Sequence, residues 1–206
     1  MASYNINNAP STLDMNTIKS YSDDSGGLAR SCRYAVMISL PTGLTQSNYL
    51  NNNIDTLSAS QDLTYLCEAT EFPGRGFENL EIRYYGPTFK IPHRSEYMPI
   101  NMTFLCKNAS YEREFFDDWM ELINPTTDFN MQYKDNYVVD VTINQYDNMN
   151  NTTYSVDLIE AFPIDVNQLY LNWSSVDSVH KLSVVFAYTQ WQNNTVSSLL
   201  QQVKNN

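Results

Sequence analysis

The chain has 206 residues, 23 acids against 12 lysines and arginines, and a formal net charge of −11 at pH 7. That balance excludes a general nucleic-acid binder, which neutralises phosphates with clustered Lys and Arg, and it disfavours binding to anionic membranes. The length suits one domain with additions, enough to bury a sizeable core.

The N-terminal stretch MASYNINNAPSTLD has no basic n-region and no apolar h-region, so it does not read as a signal peptide. No run of about 18 apolar residues predicts a spanning helix. Residues 1–31 are polar and rich in Ser and Asn, with Asp23-Asp24-Ser25-Gly26-Gly27 near their end, and read as an extended arm. The domain is expected over 32–191. Its first strand runs from Cys32 to Leu40, with Tyr34, Val36, Ile38 and Leu40 on one face. Residues 42–61 read as a polar insert centred on Asn51-Asn52-Asn53, of the kind found at contact surfaces.

Alternation of Leu63, Tyr65, Cys67 and Ala69 predicts a second strand. Glu71 to Gly76 contains two glycines but no Gly-Lys-Ser/Thr and no following helix, so it reads as a turn rather than a phosphate loop. Leu80 to Tyr85 and Thr88 to Ile91 predict a hairpin or bent strand pair broken at Gly86-Pro87. Pro92 and Pro99 frame the polar stretch His93 to Glu96, and Ile100, Met102, Phe104 and Cys106 form one face of the next strand.

Residues 110–123 carry the one strong helix signal. Ser110 is the candidate N-cap, Glu112 and Glu114 lie where the helix dipole favours acids, and Tyr111, Phe115, Phe116, Trp119, Met120, Leu122 and Ile123 make a wide apolar stripe. Asn124-Pro125 stops the helix. Strands are then predicted at Asn136–Asn144 and Thr153–Phe162, joined by an Asn- and Asp-rich turn. From Asp128 to Glu160 stand six acids and one base, Lys134. The stretch Ala161 to Trp191 follows: a Phe162-Pro163 corner, a Leu169-x-Leu171-x-Trp173 run, a polar turn, and a strand with Leu182, Val184, Phe186 and Tyr188 on one face. Residues 192–206 form a polar tail with a candidate short helix at Leu199, Leu200 and Val203.

Catalytic patterns are missing from this sequence. The two histidines, His93 and His180, lie in unlike settings, and no Cys or His pair has metal-ligand spacing. Gly-x-Ser-x-Gly and a strand-linked Gly-x-Gly-x-x-Gly are absent. Asp117-Asp118 reads as a solvated helix face. Cys32, Cys67 and Cys106 read as free buried thiols in a reducing compartment, with a Cys67–Cys106 disulfide as the alternative. The triplets at Asn101, Asn108, Asn151, Asn172 and Asn193 match the glycosylation pattern by chance in so Asn-rich a chain. No catalytic, cofactor-binding or metal residue is assigned, and no cofactor is expected. Several strands are apolar on both faces (Val138 beside Val139, Phe104 beside Leu105, Val184 beside Val185) and poor in Lys, the usual guard of an open edge. Pairing with other subunits accounts for both. A carboxylate-dependent hydrolase or a secreted binding module is the distant alternative.

Three blocks of sequence resemble the tail tube proteins of T-even-like contractile-tail bacteriophages. The first is Cys67-x-Ala69-Thr70-x-Phe72-Pro73 with Tyr84-x-Gly86-x-x-x-Lys90-Ile91-Pro92 and Ile100-x-Met102-Thr103-Phe104. The second is Arg113-x-x-Phe116-x-x-Trp119. The third is Phe162-Pro163-x-x-Val166-x-x-Leu169-x-Leu171-Asn172-Trp173 with Val179-x-x-Leu182-x-Val184-x-Phe186-x-Tyr188. Gly26 to Arg30 also resembles the family's entry to its first strand. The resemblance implies a mainly β (α+β) fold of two packed antiparallel sheets in a sandwich or barrel, with one flanking helix. It further implies hexameric rings, an intersubunit barrel around a lumen, and rings stacked into a conduit for genome ejection. The implied partners are other copies of the chain, a surrounding sheath, baseplate and tail-terminator proteins, and DNA that passes without sequence-specific binding. No membrane insertion by this chain is implied. The implied location is the virion tail, assembled in the host cytoplasm. On this view Asp135, Asp140, Asp147, Asp157 and Glu160 are candidates for an acidic lumen wall. Phe116, Trp119, Phe162, Pro163, Trp173 and Phe186 are candidates for core and scaffold. The longer insert, arm and tail leave a tube-initiating baseplate protein as the alternative.

Overall fold

A computed structural model describes residues 19, 27–46, 56–174 and 177–194. Most of the N-terminal arm, the Asn51–Asn53 centre of the insert, and residues 195–206 with their candidate helix lie outside the described residues. Within them the chain is mainly β. The strands are β1 (Tyr34–Ile38), β2 (Cys67–Thr70), β3 (Gly76–Ile82), β4 (Phe89–Glu96), β5 (Ile100–Leu105), β6 (Val139–Tyr146), β7 (Thr152–Val166), β8 (Lys181–Ala187) and β9 (Gln190–Asn193). The helices are α1 (Thr42–Gln46), α2 (Thr56–Leu66), α3 (Tyr111–Ile123) and α4 (Lys134–Tyr137).

One seven-stranded antiparallel sheet runs β1-β6-β7-β8-β5-β2, with β9 also on β7, and β3 and β4 form a separate two-stranded sheet. Both sheets are open. The large sheet has two limbs because β7, 15 residues long, changes partners along its length. Val156 to Ile159 pair with β9, and residues up to Ala161 pair with β6. Phe162 to Val166 pair with β8. The expected Phe162-Pro163 corner is therefore a change of partner inside a continuous strand. Proline has no N–H to donate, so it fits where ladder pairing is irregular, here at the register shift between Pro163 and Asp165. Just before it Glu160 sits at φ 55°, and the Asp140 carboxylate accepts its N–H at 3.2 Å.

The inner faces of the two limbs and α3 share one core. Val36, Ile38, Val141, Ile143, Val156 and Leu158 come from one limb, and Met102, Phe104, Leu182, Val184 and Phe186 from the other. The predicted α3 stripe is buried at Phe115, Phe116, Trp119 and Leu122. Phe116 meets Phe104 at 5.2 Å, Phe186 at 6.1 Å and, stacked, Trp119 at 6.2 Å between ring centroids. Trp119 donates its indole N–H to the Tyr137 carbonyl at 2.9 Å, which satisfies the polar atom of an otherwise buried ring.

Three sequence expectations are corrected here. The insert is not wholly irregular: α1 and α2 occupy its described parts. The Leu63–Ala69 strand begins only at Cys67, because Leu63 to Leu66 complete α2. Leu63 enters the core while Tyr65 stays exposed, so the two-residue alternation there was coincidental. Gly43 of α1 allows the close approach to α3, since a Cβ there would stand 2.9 Å from Leu122. Residues 136–138, read as strand, close α4 and lead into β6.

Ser110 occupies the N-cap position but sits at φ 54° and makes no side-chain cap bond. Its carbonyl accepts from Arg113 and Glu114, both at 3.1 Å. Glu112 instead folds back so that one carboxylate oxygen accepts the Lys107 N–H at 3.1 Å. Ser110→Gly should therefore raise stability by about 0.5–1 kcal/mol, because it relieves a left-handed residue and removes no capping contact. Chemical denaturation checks this; a loss of stability would show that the serine side chain contributes what the geometry does not reveal.

Candidate functional site

Among the described residues, no group of His, Cys, Asp and Glu side chains is placed to hold a metal ion. The cysteines are free. Cys67 and Cys106 are partly buried, and burial pushes the Cys67 thiol up to about 12. Cys32 is exposed rather than buried. What the fold presents is a set of surfaces.

The first is the outward face of the β1-β6-β7-β9 limb. The ladder register places Met37, Thr142, Asp157 and Gln192 in one cross-strand row, and Ala35, Asn144 and Ser155 in the next. Inward neighbours are apolar and buried, so this face is the polar side of an alternating sheet. Of the five acids singled out from the sequence, Asp140 and Asp157 stand on this face, and Thr142 donates its hydroxyl to Asp157 at 2.7 Å. Glu160 lies at the β7 bulge, paired with Lys134 and accepting from Thr189, and these contacts hold its carboxyl below the usual range. Asp135 is exposed on α4. Asp147 is at the turn between β6 and β7. The five do not form one row.

Two open edges are the second surface. β1 and β2 end the sheet at opposite sides, and no charged residue stands on β1. They are tethered across the gap by Tyr34, whose hydroxyl donates to the Cys67 carbonyl at 3.2 Å and also to that of Glu68.

A third surface is the β3–β4 hairpin. Leu80 pairs with Ile91 and Ile82 with Phe89, which puts these four on one face; Glu81 and Lys90 form an ion pair at 3.3 Å on the other. Leu80, Phe89 and Ile91 remain 51%, 61% and 49% exposed, so no described residue fully covers the apolar face. The turn carries Tyr84 and Tyr85, both exposed, and Gly86 at φ 78°.

The fourth is the loop between β7 and β8. Of the scaffold candidates, Phe116, Trp119 and Phe186 are fully buried, Pro163 is buried and Phe162 is half-buried against Tyr137 at 5.4 Å. Trp173 is corrected: its relative exposure is 104%, and Leu171 beside it is 77% exposed. The Leu-x-Leu-x-Trp run is not a strand, because β8 pairs with β7 only as far as Val166 and the chain has left the sheet by then. Sequence reasoning took an aromatic in an apolar run for core; nothing in one sequence separates a core tryptophan from a surface one.

Comparison with known proteins gives these surfaces a context. The profile of the phage tail tube protein family matches residues 29–194. The chain belongs to that family and is a structural tail tube subunit. A search of curated proteins found no match. Among solved structures, a chain of the PVC extracellular contractile injection system sheath–tube complex aligns with TM-score 0.55 and 12% identity, covering 88% of this chain and 99% of that one. A chain of the anti-feeding prophage baseplate aligns with TM-score 0.55 and 15% identity over 81% and 95%. A chain of the PVC sheath/tube terminator structure aligns with TM-score 0.56 and 12% identity over 81% and 96%. At these identities the likeness is one of fold.

Asp147 supplies the acid-sensitive element of the β6–β7 turn. One carboxylate oxygen accepts the Met149 N–H at 2.7 Å and the Asn151 N–H at 2.9 Å, and Arg33 lies near. The Asn151 hydrogen bonds first, then Met149 and Arg33, hold its carboxyl below the usual range. A carboxyl lowered by folding stabilises fully above its unfolded value, near pH 3.9, and loses that contribution as pH falls through the lowered folded value. The stability advantage of the natural protein over Asp147→Asn should therefore shrink on acidification below about pH 4. Urea unfolding from pH 7 downward measures it; a gap that stays constant through that range contradicts the assignment.

Proposed function

We propose that six copies of this chain close into a ring, that rings stack into a tube, and that the tube conducts the phage genome during ejection. The observation that carries this is the β3–β4 hairpin, whose apolar face stays about half exposed among the described residues, beside a sheet that ends at β1 and β2 without closing into a barrel within the chain. A lone two-stranded hairpin is marginal in water, and burying each of its large apolar side chains on a neighbour contributes roughly 1.5–3 kcal/mol. Pairing of edges between subunits removes the aggregation hazard that an open edge otherwise creates. The role is structural rather than catalytic. A sheath around the tube, a baseplate at one end and a terminator at the other are the partners, which the likeness to chains from sheath–tube, baseplate and terminator structures supports, one of them 6-fold symmetrised. The subunit acts in the virion tail after assembly in the host cytoplasm.

In this tube the polar face of the β1-β6-β7-β9 limb lines the lumen. Asp140 and Asp157 are its acids, and like charge keeps DNA phosphates from adhering. Glu160 is largely neutralised by Lys134, and Asp147 shapes a turn, so both contribute less to the wall.

Purified protein should form hexameric rings or tubes by negative-stain imaging. A chain that stays monomeric at high concentration and adds to no tube end contradicts the reading. A tube-initiating baseplate protein would stop at one ring, so indefinite stacking separates the two roles. Leu80→Lys with Phe89→Lys should leave the thermal unfolding of the domain nearly unchanged and abolish polymerisation. Asp140→Asn with Asp157→Asn keeps both acceptors of the observed hydrogen bonds; it should leave assembly intact and slow DNA exit from assembled particles. Unchanged exit kinetics would sink the lumen assignment.

A further inference from the structure

The strands of the β3–β4 hairpin pair only with each other, so the direction in which the hairpin points is set where its two ends leave the body. On the entry side Phe72 meets Tyr154 of β7 edge-on at 5.2 Å between ring centroids, and Pro73 is buried. On the exit side Ile100, the first residue of β5, is buried. Between these fixed points and the first ladder pair, Gly76 with Glu96, lie two short connections, residues 74–75 and 97–99.

One segment of the body grips both connections. Tyr188, in the turn between β8 and β9, donates its hydroxyl to the Met98 carbonyl at 2.8 Å. Trp191, on β9, donates its indole N–H to the Gly74 carbonyl at 3.3 Å. Gly74 and Met98 each stand two residues outside the Gly76–Glu96 pair, so the two bonds hold the two strands at the same level. The gripping segment is itself fixed. The Thr189 N–H bonds the Ile159 carbonyl at 3.1 Å, Trp191 pairs with Leu158, and the Tyr188 ring is buried against the core.

A line of rings carries the contact into the hairpin. Tyr97 meets Tyr188 edge-on at 6.2 Å. The Arg75 guanidinium lies 5.8 Å from the Tyr97 ring centroid and 5.0 Å from that of Phe77, and it donates to the Ser95 hydroxyl at 3.0 Å. Beyond this line the hairpin and the body separate. A cleft of about 700 Å³ is lined on the hairpin side by Glu78, Arg94 and Glu96 and on the body side by Tyr188 and Thr189. No apolar packing locks the two sides together in so polar a cleft, and its space leaves room for the hairpin to tilt.

We propose that the hairpin is a hinged arm, and that Tyr188 and Trp191 form the clasp that fixes its direction in the free subunit. The proposal rests on the self-assembly reading above: an arm held in one direction presents Leu80, Phe89 and Ile91 to the next copy with little ordering cost. Tyr188 and Trp191 are positioning residues and act through the hairpin.

The test measures the direction of the arm by pulsed electron resonance on the full chain, below the concentration at which polymer appears. Spin labels go on Tyr84→Cys at the hairpin tip and Met149→Cys in the β6–β7 turn, both exposed, in a Cys32→Ser background. Cys67 and Cys106 are partly buried, and burial pushes both thiols up, which slows their labelling. The natural clasp should give one narrow distance distribution, and Tyr188→Phe with Trp191→Phe should broaden it. Arg75→Ala, at an exposed position outside the core, should broaden it as well and does not depend on tolerance of the body to substitution. A broad distribution with the clasp intact, or a narrow one that survives all three substitutions, overturns the proposal.

The second reading is the protein concentration at which unlabelled polymer appears by light scattering. Apparent affinity falls with the fraction of subunits that hold the competent orientation, and each lost hydrogen bond shifts that fraction by about fivefold. The Tyr188→Phe, Trp191→Phe double variant should therefore raise the threshold about fivefold or more. An unmoved threshold beside a broadened distribution overturns the role of the clasp in assembly. If the natural chain forms no polymer at all, the tube reading fails while the distance measurement still decides the clasp, and the two failures are told apart.

Discussion

Strand β7 belongs to two limbs of one sheet, and that single backbone sets the shape of everything around it. Its first half completes a limb with β1, β6 and β9; its second half opens another with β8, β5 and β2. The change of partner demands a local break in the ladder. Glu160 supplies it with a left-handed backbone, and Pro163 with a missing donor. Asp140 reaches across from β6 to satisfy the Glu160 N–H that the break would leave unpaired. A left-handed non-glycine residue costs roughly 1–2 kcal/mol, so it persists only because its surroundings fix it. Lys134 and Thr189 hold the same side chain from outside, and the Thr189 N–H bonds the Ile159 carbonyl at 3.1 Å.

Once β7 is placed, the core follows. The two limbs turn their apolar faces toward a shared interior, and α3 fills it with Phe115, Phe116 and Trp119. The cost of that packing appears at the helix start. Glu112 is buried at 3% exposure to reach Lys107, and its second carboxylate oxygen has no partner. A buried carboxylate oxygen without a partner is expensive, but the site lies in the first turn, where the backbone amides and the helix dipole favour negative charge. The aromatic core and the acid at its margin belong to one compromise: the helix must begin close to the end of β5, and no other side chain serves the Lys107 amide.

How much of this could be read from the residues depends on whether a local pattern decides the outcome. The α3 stripe, the alternation in β5 and β8, and the β6–β7 turn are decided locally, and each is found where periodicity puts it. The helix α2 is not. Leu63 to Ala69 alternate like a strand, yet Leu63 to Leu66 complete the helix, where Leu63 enters the core and the Ser60 hydroxyl donates to the Ile38 carbonyl at 2.9 Å. The acids from Asp128 to Glu160 form one run in sequence but several environments in space: sheet face, bulge, turn and, for Asp135, the short helix α4. Their charge could be counted from the sequence; their pairing with Lys134, Thr142 and Asn151 could not. Trp173 is the sharpest case. Its neighbours in the chain are apolar, and its place outside the core is fixed by where β7 and β8 stop pairing, a long-range fact with no local signature.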